Sequence, residues 1–210
     1  MTADLVLAFD TSAAHCAAAL ISGRSVLAGQ FEPMEKGQAE RLIPLLEEVL
    51  AAGGVGWHDL AGIGVGVGPG NFTGIRISVA AARGLALGLG IPAIGVTAFE
   101  ALAQGLGPAL AVVDARRGMQ YFCAAGSEPV MSEGLPAVFH GCGMDVVGAG
   151  AADFARLTGG RALVPVLPVA QAIARVAGGR LGTVQPRPAP LYLRSADAAP
   201  PSDPPPLILP

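Results

Sequence analysis

The sequence predicts an α/β fold with a parallel sheet, and three observations on one continuous stretch support this. Residues 62–68, GIGVGVG, alternate glycine with branched residues, which is typical of a buried strand. A Gly-Pro-Gly breaker ends the strand, and a helix-forming run follows from Gly74 to about Leu89. A second apolar strand at 92–96 comes next, and a strand, helix, strand unit of this length implies parallel pairing.

Before this unit, the sequence predicts three strands and one helix. The segment 38–52 carries apolar residues at helical spacing. Pro44 either kinks this helix or lies in the first turn of a helix that begins near Ile43, where its missing N–H costs little. The first two strands are continuous apolar runs at 5–9 and 16–21, and the third, at 26–31, follows a turn at 22–24.

After this unit, the elements are shorter. Thr97 and Glu100 form the ends of a capping-box pattern, which predicts a short helix that ends near Gly105. Further on, the sequence predicts a strand at 145–147 and helices at 152–157 and 167–176. The last 25 residues hold nine of the 18 prolines, so we expect the chain beyond Leu193 to be extended or disordered.

The chain also repeats its own opening. An apolar strand at 110–113 ends in Asp114, and a polar turn and a further strand at 119–125 follow. The first strand likewise runs into Asp10, a polar turn and an apolar strand. Two copies of one hairpin, each leading a region of strand and helix, indicate a duplicated domain.

The composition limits the classes of protein. With 52% hydrophobic and 14% charged residues in 210, the chain is globular rather than disordered, and we expect about one to two domains. The net charge is -3 and the basic residues are scattered apart from Arg116 and Arg117, so the composition indicates no nucleic-acid-binding surface. Three cysteines without a CxxC pair argue against disulfides or zinc. We expect no signal peptide, no membrane span and a cytoplasmic location.

The segment 68–74, GPGNFTG, could in principle bind phosphate, because glycines let backbone amides approach an anion at a helix N-terminus. It lacks the Lys and Ser/Thr of a Walker A loop, since Ile75 and Arg76 follow the last glycine. Its spacing also fails the dinucleotide fingerprint. The favoured interpretation is a tight turn that lets helix and sheet pack closely.

Asp10 and Asp114 end the first strands of the two related hairpins. A carboxylate at such a position can hold magnesium through water, while nearby turn groups such as Thr11 and Ser12 contact phosphate. Ordinary turn chemistry would select the same residue types. These four residues are therefore weak candidates for a nucleotide site.

Other catalytic chemistry has little support. His15, His58 and His140 share no ligand spacing, so a metal site within this chain is improbable. No serine lies in a GxSxG elbow, and no cysteine has the local context of a nucleophile. We therefore predict neither catalytic nor metal-binding residues.

The helix that starts near Gly74 has a smooth side. Ala80, Gly84 and Gly88 recur every four residues, whereas Arg76 and Arg83 project elsewhere. Such a stripe most often packs within its own fold. With the helix at 38–52, it could instead form an interface to a partner, if the two helices lie side by side.

Three segments carry a resemblance to a known family: LAFDTSAAHCAAAL, then GPGNFTGIRISVAAARGLALGLGIPAIGVTAFEALA, then VVDARRGMQYF. Together with PLYLR at 190–194, they resemble the TsaB family, also called YeaZ. The resemblance covers most of residues 5–126 in order. Its most specific part is the GPGxFTGxR core followed by GLALxxGIP.

The resemblance implies a fold and a division of the chain. TsaB-like proteins have the duplicated actin-like ATPase (ASKHA) fold of the Hsp70, actin and sugar kinase superfamily. It implies an N-terminal lobe at 1–97 and a reduced C-terminal lobe at 98–194, followed by the proline-rich tail at 195–210.

The resemblance also implies a function. TsaB-like proteins are non-catalytic scaffolds in the bacterial machinery that places threonylcarbamoyl on N6 of the adenosine 3′ of the anticodon. The expected partners are the catalytic TsaD subunit, a TsaE-like ATPase and, for the free chain, a second copy. We expect tRNA contact only through the complex, and ATP or ADP and a metal only in the partner subunits.

The interface is expected on the N-terminal lobe helices. Gln38 stands where family members often have a histidine, which removes another possible ligand. The alternative hypothesis is a self-contained ATP-dependent transferase or ATPase of the actin-like superfamily that uses Asp10 and Asp114. The predicted partner-interface residues are Leu42, Leu45, Leu46, Val49, Arg76, Ile77, Ala80, Arg83 and Gly84.

Overall fold

The computed structural model describes residues 4–193, which form two five-stranded sheets with five α-helices. The first sheet contains β1 (Leu5–Asp10), β2 (His15–Ser22), β3 (Ser25–Pro33), β4 (Gly62–Gly66) and β5 (Ala93–Val96). The second contains β6 (Ala109–Asp114), β7 (Gln120–Ala124), β8 (Val130–Ser132), β9 (Asp145–Gly148) and β10 (Ala162–Leu163). The helices are α1 (Gln38–Ala52), α2 (Phe72–Leu89), α3 (Ala98–Ala103), α4 (Ala151–Thr158) and α5 (Val169–Gly178).

The two sheets have the same strand order. The first is β3-β2-β1-β4-β5, and the second, taken from its other edge, is β8-β7-β6-β9-β10. In each sheet, the first two strands in the chain form an antiparallel hairpin, β1 with β2 and β6 with β7. The first strand of each hairpin also pairs in parallel with a later strand, β1 with β4 and β6 with β9. The duplication and the parallel central unit are therefore confirmed, and this is the duplicated actin-like architecture.

Helices cover both faces of the first sheet. Side chains of β1 alternate between the faces, so Leu7 and Phe9 pack with α1 and α2, while Val6 and Ala8 pack with α5. The two helices α1 and α2 lie beside each other. Helix α1 runs continuously from Gln38 through Pro44, which lies in its interior, so the alternative of a start near Ile43 is wrong.

The position of helix α5 does not fit a simple division of the chain into two lobes at residue 97. This helix contacts β1, β2 and β4 of the first sheet, although it follows the second sheet in the chain. Small side chains allow a close fit, since a Cβ on Gly64 would lie only 2.9 Å from the Ala177 Cβ. The lobe boundary stays a prediction, but residues 98–194 as a block are not confined to the second sheet. The proposed tail at 195–210 lies outside the described residues.

The second sheet is smaller and is covered by short helices. Helix α4 packs on one face, where Phe154 contacts Phe122 edge to face. Helix α3 lies on the other face through Phe99 and Leu102, and it also contacts α5. The sequence did not predict β8 or β10, which have only three and two residues and lie at the edges of the sheet.

Helix α2 begins directly after its N-cap residue, Asn71. Asn71 precedes it, and its side-chain oxygen accepts hydrogen bonds from the N–H groups of Thr73 and Gly74 at 3.0 and 3.1 Å. The helix begins two residues earlier than the predicted start at Gly74. Its length and composition would also suit a membrane span, which is weak evidence, because core helices meet the same criterion and α2 packs on the first sheet.

Candidate functional site

A cleft of about 1390 Å³ lies between the two lobes. The ends of β1 and β6 bring Asp10 and Asp114 to its walls, as expected for equivalent positions in duplicated hairpins. Apolar side chains form much of the remaining lining, including the exposed ring of Phe31. Asp10 and Asp114 therefore line one cleft, and their role as candidates for a nucleotide site stays a prediction.

Asp10 is buried, and its Oδ1 atom already accepts several hydrogen bonds. The Ser12 N–H and hydroxyl donate to it at 3.0 and 2.9 Å, and the His15 Nε2 lies at 2.8 Å. Its Oδ2 atom packs closely against Gly66 of β4. A Cβ at position 66 would lie only 1.8 Å from this oxygen, so only glycine fits there. The carboxylate is thus held as a structural centre of the first hairpin.

The contact between His15 and Asp10 was missed from the sequence. His15 begins β2, the strand that pairs with β1, so the hairpin alone brings the two residues together. The order of contacts does not suit a nucleophile, because Asp10 stands between Ser12 and His15. In a catalytic triad, the histidine stands between the other two and takes the proton of the serine.

The loop 68–74 packs against the turn of the first hairpin. The Asn71 N–H donates to the Ser12 carbonyl at 2.6 Å, and the Thr11 hydroxyl donates to the Gly74 carbonyl at 2.7 Å. A Cβ on Gly74 would lie 1.9 Å from the Thr11 carbonyl oxygen. The glycine therefore permits backbone to meet backbone, which supports the interpretation as a tight packing turn.

A magnesium nucleotide, which the fold class would suggest for this cleft, fits these residues poorly. Asn71 caps the first free amides of α2, which a phosphate would otherwise contact. The Oδ1 of Asp10 is surrounded by donors from within the chain, and Thr11 is fully buried. The arrangement stabilises the junction between hairpin and helix, and we derive no catalytic step from it.

Asp114 differs from Asp10 although it holds the equivalent position. It is exposed, and its Oδ1 accepts a hydrogen bond from the Arg116 N–H at 2.9 Å. This bond belongs to the turn between β6 and β7, where Arg116 and Arg117 adopt left-handed conformations with φ of 62° and 53°. Both arginines line the cleft.

In the part of the chain that the structure describes, the thiols and the metal-binding residue types form no second site. Burial raises the pKa of the Cys16 thiol to about 11, so it stays protonated at neutral pH, and burial also raises the pKa of Cys123. Cys142 is exposed. Within residues 4–193, no three His, Cys, Asp or Glu side chains come together as metal ligands would.

The segment that ends the described chain returns to the cleft. The Leu191 N–H donates to the Val67 carbonyl at 2.8 Å, and the Leu191 side chain packs with the cores of both lobes. The Tyr192 ring stacks on Phe72 with a centroid distance of 4.7 Å. Arg76 lies 3.7 Å over the Phe72 ring and donates from Nε to the Tyr192 hydroxyl at 2.8 Å.

A half-buried ion pair between Arg180 and Glu100 connects the chain after α5 with α3. Glu100 accepts from the Thr97 N–H and hydroxyl, both at 2.8 Å, which confirms the predicted capping box. Its other oxygen accepts from Arg180, which also donates to the Gly95 carbonyl. Burial alone would raise the pKa of Glu100, but the hydrogen bonds from Thr97 and Arg180 hold it below its ordinary value.

The predicted interface residues divide into two groups. The four on α1 face the core and cannot meet a partner directly, because the apolar stripe of α1 packs on the sheet of its own lobe. The prediction of surface contact was wrong for these buried residues: Leu42, Leu45, Leu46 and Val49. The five on α2 lie on or near the surface: Arg76, Ala80, Arg83 and Gly84 are exposed, and Ile77 is half-buried.

Comparisons with known proteins agree with this fold. The chain matches the family model of TsaD, tRNA N6-adenosine threonylcarbamoyltransferase, over residues 32–158, which is more than half of its length. It is 26% identical to the solved structure of YeaZ from Pseudomonas aeruginosa, with a TM-score of 0.72, covering 90% of this chain and 100% of that one.

A second solved structure is described as an uncharacterized protein with similarity to peptidase YeaZ, from Pseudomonas aeruginosa. It is 27% identical with a TM-score of 0.72, and the match covers 91% of this chain and 100% of that one. No curated protein sequence matches the chain. The family match, together with the two structural matches, shows that the chain belongs to the TsaD family of the actin-like fold and is a TsaB-type, or YeaZ-type, member of it.

Proposed function

We propose that this chain is a non-catalytic scaffold subunit for bacterial tRNA N6-threonylcarbamoyladenosine synthesis. In this role it binds a TsaD-like catalytic subunit in the cytoplasm and activates threonylcarbamoyl transfer to the adenosine 3′ of the anticodon. A TsaE-like ATPase joins the complex, and the free chain pairs with a second copy. ATP or ADP and a metal belong to the partner subunits. Membership of the TsaD family and the likeness to YeaZ support this assignment.

The observation that carries the proposal is the outward face of α2. Only a third of this apolar helix is buried in the chain, and the Leu87 side chain is 85% exposed. Nothing lies within 4 Å of a Cβ built on Gly84 or Gly88, so the stripe of small residues faces open space. Exposed apolar surface that a partner helix can approach closely is typical of an interface.

Helix α1 extends this face without using its buried stripe. Ile43 and Pro44 are exposed on α1, which lies beside α2. The interface we propose therefore contains the exposed residues Ile43, Pro44, Ala80, Arg83, Gly84, Leu87 and Gly88, with Arg76 and Ile77 at its edge.

The alternative function, a self-contained ATP-dependent enzyme, is less well supported. The hairpin and loop groups that would serve a nucleotide make their hydrogen bonds with one another, as Asp10 does with Ser12 and His15. Magnesium-dependent ATP binding that Asp10→Asn abolishes, in a variant that stays folded, would favour this alternative.

The test is to mix the chain with the TsaD-like protein of the same organism and measure molar mass by light scattering after size exclusion. We expect a heterodimer to replace the starting species. Gly84→Trp should abolish it, because an indole on the smooth stripe keeps the partner helix away. The space around Gly84 leaves room for the indole in the free chain, so its melting temperature should be nearly unchanged.

Gly134→Trp is the matched control. Gly134 is also exposed with open space around it, but it lies in the second lobe, away from α2. This variant should bind the partner like the wild type. If the wild-type proteins elute separately, with and without ATP and a TsaE-like ATPase, the scaffold role is wrong. If Gly84→Trp forms the complex normally, the interface lies elsewhere on the chain.

A further inference from the structure

The two lobes are held together on both faces of the first sheet. On the face that α5 covers, α3 joins the lobes, because Ala101 packs with the core of the first lobe and Phe99 with that of the second. Helix α5 contacts α3 directly. On the opposite face, which α1 and α2 cover, residues 188–193 run between the lobes. We call residues 188–193 the strap.

The strap contacts both lobes through its backbone and its side chains. Pro188 is buried and lies against Gly95 of β5, on the face of the first sheet that α2 covers. The Leu191 N–H donates to the Val67 carbonyl at 2.8 Å, and the Leu191 side chain packs with the cores of both lobes. Leu193 packs with the core of the second lobe. The strap therefore braces the lobes on the side opposite the contact between α3 and α5.

A clamp on α2 holds the strap at Tyr192. The Tyr192 ring stacks on Phe72, with 4.7 Å between the ring centroids. The Arg76 guanidinium lies 3.7 Å from the centroid of the Phe72 ring, and its Nε donates to the Tyr192 hydroxyl at 2.8 Å. The clamp lies at the surface, since Arg76 and Tyr192 are both exposed. Water can replace contacts of this kind, so the clamp opens at a lower cost than a core contact does.

We propose that the strap is a latch that couples the partner-binding face of α2 to the angle between the lobes. Phe72 and Arg76 belong to the start of α2, and Arg76 lies at the edge of the interface proposed on that helix. A partner that takes the Arg76 guanidinium onto its own surface releases Tyr192, and the lobes then open about the contact between α3 and α5. This inference rests on the proposed function and adds to it a regulation of the same site.

The first test measures the distance between the lobes in the free, full-length chain. One nitroxide label is attached to Cys142, which is exposed in the second lobe, and the other to Arg24→Cys in the exposed turn between β2 and β3. Cys123→Ser keeps the label off the half-buried thiol, and Cys16 is buried. Double electron-electron resonance should give a narrow distribution of distances with the clamp intact. Tyr192→Ala should shift and broaden this distribution, because the latch is released.

Two further variants show whether the clamp itself is responsible. Tyr192→Phe keeps the ring on Phe72 and loses only the hydrogen bond from Arg76, so its change in distance should be smaller than that of Tyr192→Ala. Phe154→Leu is the matched control, because it removes a ring contact with Phe122 that lies within the second lobe. Its distribution of distances should equal that of the chain with the intact clamp.

The second test adds the unlabelled TsaD-like protein to the labelled chain. Binding should shift the distances of the chain with the intact clamp toward those of Tyr192→Ala. Since coupling between two sites is reciprocal, a chain whose latch is already released should bind the partner about 5-fold more tightly. Isothermal titration calorimetry with the unlabelled wild type and Tyr192→Ala measures this difference.

The outcomes distinguish this inference from the proposed function. If Tyr192→Ala keeps the distances of the intact chain, the strap is not a latch. If the partner binds without changing the distances, or if Tyr192→Ala binds it more weakly than wild type, the coupling is wrong. If no complex forms, the scaffold role fails and the coupling fails with it, whereas the distances in the free chain still decide whether the strap holds the lobes.

Discussion

The two hairpins have the same topology, but the aspartate that ends the first strand has a different environment in each. In the first lobe, Asp10 is buried, holds Ser12 and His15, and lies beside a turn that packs against the start of α2. In the second lobe, Asp114 is exposed and only helps to hold its own turn. The difference follows from the loop 68–74, which covers the first hairpin. Equivalent positions in a duplicated fold therefore need not keep equivalent chemistry.

The largest expected loss of stability comes from disturbing the packing of the loop 68–74 on the turn of the first hairpin. In Gly74→Ala, the new methyl group would lie 1.9 Å from the Thr11 carbonyl oxygen, and neither backbone can move without breaking the contact between turn and helix. We expect the free energy of unfolding, measured by chemical denaturation, to fall by about 3 kcal/mol.

Gly84→Ala, in the same helix, is the control for helix propensity. Nothing lies within 4 Å of its Cβ, so alanine should raise the free energy of unfolding by about 0.5–1 kcal/mol. If both alanine variants shift stability in the same direction, the close contact at Gly74 does not determine the packing of the first lobe.

A smaller effect should distinguish the two aspartates directly. Asp10→Ala leaves the Ser12 and His15 donors without their acceptor in a buried place, so we expect a loss of about 2 kcal/mol. Asp114→Ala removes one exposed hydrogen bond to Arg116 and should cost about 0.5 kcal/mol. Thermal and denaturant unfolding of both variants measure these losses in the free energy of unfolding. Equal losses would contradict the contrast between the lobes.

A more modest, pH-dependent effect concerns the ion pair between Glu100 and Arg180 beside α3. Glu100→Gln should cost about 1 kcal/mol at neutral pH, because the cap and the charged bond to Arg180 both weaken. The folded-state pKa of Glu100 lies below its ordinary value, so its contribution is present above the unfolded pKa of about 4.3 and is lost as the pH falls through the folded pKa. The variant should therefore lose less stability than wild type on acidification.

The matched carboxylate in the second lobe is Asp145. Hydrogen bonds from Arg161 lower its pKa too, but the Arg161 side chain is 80% exposed. Water screens such a pair, so Asp145→Asn should change the unfolding curve between about pH 5 and pH 3 less than Glu100→Gln does. A larger change for Asp145→Asn would show that the pair within the second lobe, rather than the one beside α3, dominates the acid response.

Local signals in the sequence were sufficient for much of the fold. The breaker after β4, the helix α2 and the capping box at Thr97 depend on neighbours within a few residues, and all three are found in the structure. The duplication was visible because both hairpins keep the same order of strand, Asp and turn. Edge strands of two or three residues gave too short a pattern to detect.

The features that the sequence did not predict depend on contacts between distant parts of the chain. An apolar stripe on α1 shows that the helix buries one side, but not whether its own sheet or another protein covers it. Leu42 and Leu46 meet their own sheet. The grouping of Tyr192 with Phe72, and of both with the second-lobe arginines around one cleft, arises only when the end of the described chain returns to the first lobe.

The return of α5 to the first sheet sets the order in which the protein can be completed during synthesis. One face of β1, with Val6 and Ala8, packs against helix α5 at 169–178, which the ribosome adds about 160 positions later. Until then, the nascent first lobe exposes an apolar surface while the second lobe is still being made. A chain truncated before residue 169 should therefore depend on chaperones or aggregate, even though every strand of both sheets is present.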